Sequence, residues 1–92
     1  MDFKPLINTS VNIVATVTKI SNDKRNNDMV LFEDIYVNGE FFRDHHWLKK
    51  TRRLNIVSEG DAITATATLI EYVGIEGTKL GLKSCRSIVV SR

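Results

Sequence analysis

Asn38-Gly39 stands between two runs of strand-forming residues, 29–37 and 40–48. A two-residue hairpin loop of type I′ needs positive φ at both central positions, and Asn-Gly meets that need at the least steric cost. The pair predicts a hairpin with Val37 opposite Glu40 and Tyr36 opposite Phe41. Continued without interruption, this register sets Asp34 opposite Arg43, Phe32 opposite His45 and Val30 opposite Trp47. Partners across a ladder share a face. One face is therefore expected to carry Phe32, Tyr36, Phe41, Arg43, His45 and Trp47. The other carries Leu31, Glu33, Ile35, Val37, Phe42, Asp44, His46 and Leu48. A bulge in either strand, or a one-residue slip, exchanges members of the two sets.

The rest of the chain reads in the same period. Val11, Ile13, Ala15 and Val17 alternate with Asn12, Thr16 and Thr18, which predicts a long first strand over 11–20. The polar stretch SNDKRNND at 21–28 is a loop. Residues 49–56, KKTRRLNI, break the strand pattern and form a basic loop or a short helical turn. Ser58-Glu59-Gly60-Asp61 is a turn. Ile63, Ala65, Ala67 and Leu69 alternate with threonines in a fourth strand over 62–73. Gly74–Thr78 closes a second hairpin, and 79–90 is the fifth strand, with Gly81 marking a bulge or a sharp bend. Residues 1–10 are an extended lead-in whose Phe3, Leu6 and Ile7 are able to pack onto the single domain formed by 11–92.

At 92 residues the chain suffices for one core and not for two. Cys85 is its one cysteine, so no intrachain disulfide forms, and a reducing cytoplasmic compartment is expected. No signal peptide is legible at the N-terminus, and no apolar run approaches a membrane span. The net charge of +2 permits a nucleic-acid partner without demanding one.

Five strands with a break between the third and fourth predict an all-β, five-stranded Greek-key barrel of the OB type. An SH3-like barrel competes, although it ordinarily has shorter strands than the first and fourth here. VLFEDIYVNGEFFRDHHWL at 30–48, GDAITATATLIEYVG at 60–74 and KLGLKSCRSIVV at 79–90 together resemble small OB-fold nucleic-acid-binding domains, of the single-stranded-DNA-binding kind, from bacteria and mobile elements. The likeness covers residues 11–90 and lies in strand order and turn placement. It implies a ligand crossing strands two and three, flanked by the loops at 21–28 and 74–78.

The residues themselves allow such a role. Tyr36, Phe41, Arg43 and Trp47 make an aromatic and cationic sheet face on which unpaired bases stack. Phe32 and Trp47 equally suit a barrel interior. Lys49, Lys50, Arg52 and Arg53, with Lys24 and Arg25 in the first loop, form a track for a phosphate backbone. Lys79, Lys83 and Arg86 add positive charge on the last strand. The expected partner is single-stranded nucleic acid, DNA favoured over RNA, bound with little sequence preference. A protein-interaction module is the alternative: an accessory subunit of a replication or recombination complex, or an inhibitor carried by a mobile element. Self-association is left open. His45 and His46 are neighbours on a strand and point to opposite faces, so they do not share a metal ion. Cys85 lies in no catalytic motif, and no phosphate-binding glycine loop is present. Neither enzyme activity nor a cofactor is expected.

Overall fold

The computed structural model describes residues 3–21, 28–75 and 77–91. They form five antiparallel strands, β1 (Ser10–Ser21), β2 (Met29–Val37), β3 (Glu40–Lys49), β4 (Ala62–Gly74) and β5 (Gly77–Ser91), and two 3₁₀ turns at Lys4–Leu6 and Arg52–Ile56. The strands make one sheet in the order β3-β2-β1-β4-β5. Among the described residues no helix is long and apolar enough to cross a membrane.

The inward-facing residues expected of the first and fourth strands are the inward-facing residues observed. Val11, Ile13, Ala15 and Val17 are buried, as are Ile63, Ala65, Ala67 and Leu69. Leu54 enters the core from the second 3₁₀ turn, so the basic segment at 49–56 is a short helical turn anchored by one apolar side chain. Among the described residues no second layer covers the sheet. Burial this complete requires the sheet to curl around its own side chains, and it brings the edge strands β3 and β5 within reach of each other. Nη2 of Arg43 on β3 donates to the carbonyl of Leu80 on β5 at 2.6 Å. No ladder joins those two strands, so the sheet has an open seam.

The Asn38-Gly39 turn has φ of 50° and 85° at its two residues, as a type I′ turn requires. The turn is also clipped to β1: the Asn38 amide donates to the Asn12 carbonyl at 2.8 Å, and the Asn12 amide donates to Asn38 Oδ1 at 2.9 Å. Val37 opposes Glu40 and Tyr36 opposes Phe41, as expected. Beyond that point the register slips by one. Phe42 is an extra residue in β3, so Ile35 opposes Arg43, Phe32 opposes His46 and Leu31 opposes Trp47. The expected pairs Asp34–Arg43, Phe32–His45 and Val30–Trp47 do not form.

Asp34 explains half of this shift. Its φ is 51°, the left-handed region that Asp and Asn tolerate better than most residues. An unbroken alternation from Val30 and Phe32 would turn Asp34 inward and Ile35 and Val37 outward. The left-handed residue reverses the phase, and Val30, Phe32, Ile35 and Val37 are all buried while Asp34 is exposed. The strained backbone costs about 1–3 kcal/mol. Burying two branched side chains gains about 1.5–3 kcal/mol each, and it spares the sheet an unpaired buried carboxylate.

β5 uses the same device twice. Ser84 and Ser87 have φ of 55° and 53°, and the pairing with β4 shifts between Thr64 and Thr66 and again between Thr66 and Thr68. Leu82, Cys85 and Ile88 thereby face the core at intervals of three. Pairing runs regularly through Gly81, opposite Ile70, so the bulges of β5 lie at the serines and not at the glycine. Gly81 serves a close approach instead: a Cβ there would stand 2.8 Å from Cε1 of Tyr72.

Candidate functional site

Two clefts lie along the seam between β3 and β5, and a third continues between the 3₁₀ turn at Arg52–Ile56 and β5. The first, about 700 Å³, is lined by Arg43, Asp44, His45, His46, Trp47, Tyr72 and Lys79. The second, about 290 Å³, shares Trp47 and continues past Lys49, Leu54, Lys83 and Cys85. The third, about 350 Å³, shares Thr51, Ser84 and Cys85 with the second and adds Arg52 and Arg53. Neighbouring clefts share lining residues, so they form one discontinuous groove along the seam. Its cations are Arg43, Lys79, Lys49, Lys83, Arg52 and Arg53, and Asp44 is the only carboxylate on its lining among the described residues.

The bulge at Phe42 puts Trp47 at this groove. Opposite Val30 the indole would have entered the core; opposite Leu31 it stands outward and 41% exposed, whereas Phe32 is fully buried. The two residues therefore divide the roles that both were suited to. Lys49 follows Trp47 on the same side of the strand, and Lys50 is half-buried. Tyr36 and Phe41 pack edge to face with ring centroids 5.7 Å apart. They lie toward the hairpin end, outside the linings of the three clefts. Lys24 and Arg25 fall outside the described residues. The structure thus gathers Arg43, Trp47, Lys49, Arg52 and Arg53 along one groove and sets Tyr36 and Phe41 apart from it.

Tyr72, Lys79 and Lys83 join the groove from the other bank. The two lysines are legible in the sequence as basic residues of the last strand, but nothing local sets them across from Trp47. Tyr72 has no place in the sequence-based site, and its one legible signal is Gly81. A glycine one step diagonal from a tyrosine across a hairpin lets the ring lie on the backbone, and here it brings Tyr72 beside the ring of His46.

Arg43 ties the seam. Besides Leu80, its Nη1 lies 3.1 Å from Nδ1 of His46, and its guanidinium stands 5.3 Å from the centroid of the Phe42 ring. Burial, then the charge of Arg43, then that of His45 lower the pKa of His46 from 6.5 to about 4. The imidazole is neutral at pH 7, and its Nδ1 accepts from Arg43. Between pH 6.5 and 4 the unfolded chain binds this proton and the folded chain does not, so the contribution to stability is present above pH 6.5 and is lost as pH falls toward 4. His46→Gln retains an acceptor for Arg43 and has no titrating ring. Urea midpoints at pH 7 and pH 4.5 are expected to fall further for the wild type than for His46→Gln. Equal losses would show that other groups carry the dependence.

Burial raises the Cys85 thiol to about 11, with Arg86 pulling the other way. A thiol so rarely ionised is a poor nucleophile at neutral pH. Arg86 is held away from the groove, donating to Thr68 Oγ1, the Ser84 carbonyl and Ser10 Oγ. Among the described residues no group of three His, Cys, Asp or Glu stands close enough to hold a metal ion. The arrangement offers aromatic surface and positive charge along a channel. No family model matches this chain, and no curated protein or solved structure matches it.

Proposed function

We propose that this domain binds single-stranded nucleic acid, DNA in preference to RNA, in the cytoplasm, and that its sheet is an OB-like Greek-key barrel with an open β3–β5 seam. The strand order supports the barrel: β1 lies between β2 and β4, and the ends of the sheet meet across Arg43. The observation that carries the function is the groove. Trp47 stands where the first cleft meets the second, and cations occupy both banks. Bases stack on an exposed indole whatever their identity, and a line of Lys and Arg follows the backbone. Lys49, Arg52 and Arg53 are the phosphate contacts on one bank, Lys79 and Lys83 those on the other. Tyr36 and Phe41, outside the clefts, offer a separate exposed aromatic pair at the hairpin end.

The test is fluorescence anisotropy of a labelled oligo-dT and of its duplex, titrated at two salt concentrations. The single strand is expected to bind, with affinity falling steeply as salt rises because bound phosphates release counterions, and with a change in Trp47 emission. Absence of binding at low salt overturns the reading.

A protein-interaction module is the second reading, and a separate feature favours it. Val89, Thr64, Val14, Tyr36 and Phe41 are in register across all five strands. All five are exposed, and none is charged. Such a band suits an apolar contact whose affinity rises or holds with salt.

A further inference from the structure

We infer that the first cleft selects a guanine base, so that one position of the bound strand is read while the others are held by stacking and charge; the inference rests on the reading of the groove as a nucleic-acid site. Asp44 is the starting point. It is an exposed carboxylate on the lining of a cleft whose other charges are positive. Among the described residues no hydrogen bond or ion pair engages it, and Arg43 next to it in sequence is turned to Leu80 and His46. A phosphate is repelled there. A carboxylate has two acceptor oxygens side by side and is answered best by two adjacent N–H donors.

The four bases differ in this respect. Guanine presents N1–H and N2–H together on its Watson–Crick edge. Cytosine and adenine each present one amino donor beside an acceptor nitrogen, and thymine presents one N–H between two carbonyls. Only guanine meets both oxygens without setting an acceptor against them.

Aromatic rings line the cleft. Trp47 and Tyr72 line it, each partly exposed. Tyr72 is placed by the missing side chain of Gly81, where a Cβ would collide with its ring. His46, beside it, adds a ring without a charge at neutral pH. Lys79, exposed on the same lining, is positioned for the phosphate of the nucleotide. A bidentate contact of this kind discriminates by about tenfold or more.

The experiment compares a dT heptamer with two others whose central base is guanine or adenine, each titrated into the wild-type protein and into Asp44→Asn. The guanine heptamer is expected to bind the wild type about tenfold more tightly than the other two. In Asp44→Asn that preference is lost while the dT heptamer binds at least as well, since a negative charge has left the groove; circular dichroism checks that the variant is folded. Binding of all three heptamers with equal affinity, or a guanine preference that survives in Asp44→Asn, overturns the reading of guanine by Asp44 and leaves the single-strand reading intact. Failure of every heptamer to bind overturns both.

Discussion

Phe32→Ala is expected to destabilise the domain by about 3–5 kcal/mol. Phe32 is fully buried at the middle of the sheet, between Val17 of β1 and His46 of β3. Its removal leaves a cavity walled by strands whose positions are set by ladders on both sides, so the site collapses little. A domain of this size has about 5–15 kcal/mol in total, and the variant is expected to lose a large fraction of its urea midpoint. Phe41→Ala is the control. Phe41 is 50% exposed and packs on Tyr36, so its loss is expected to cost about 1 kcal/mol or less. Similar costs for the two phenylalanines would contradict the phase reversal at Asp34, which with the extra residue at Phe42 sends one inward and leaves the other out.

Trp47→Ala is expected to weaken oligo-dT binding by about tenfold or more, in line with about 1–3 kcal/mol for one base stacked on an aromatic. The fold is expected to survive, because the indole stands on the outer face and its partner Leu31 is only partly buried. The slope of log affinity against log salt should be unchanged, since no cation has been removed. Replacing Lys49, Arg52 and Arg53 by Gln has the opposite signature: a shallower slope, by about 0.7 for each phosphate that is no longer neutralised. If Trp47→Ala binds like the wild type while the triple variant does not, charge alone holds the strand and the aromatic share of the mechanism is wrong.

The two kinds of prediction depend on different levels of the structure. The boundaries of β2 and the Asn38-Gly39 turn follow from residues close in sequence. So do the inward rows of β1 and β4, whose alternation has period two and needs no partner to be read. The segment at 49–56 was legible as a break in the pattern, a basic loop or a short helical turn, but the burial of Leu54 was not.

Which face of the Asn38-Gly39 hairpin is buried was not legible, and neither was the groove. A strand has two faces of equal local standing. The hairpin pattern places Phe32, Tyr36 and Trp47 together, and no local preference separates them. What separates them is the curl of the whole sheet. It offers room for Val30, Phe32, Ile35 and Val37, and for no carboxylate. The chain reaches that arrangement by taking a left-handed residue at Asp34 and an extra residue at Phe42, a local cost offset by burial that exists only once five strands have curled around it. The same curl brings β5 to β3, with Arg43 and Leu80 bonded across 37 positions, and so makes one groove from Arg43, Trp47, Tyr72, Lys79 and Lys83. Residue order alone was enough for the strands and one turn. Which aromatics face out and which cations stand together was settled only by the curled five-stranded sheet, because long-range burial, and not local preference, sets the phase of a bulged strand.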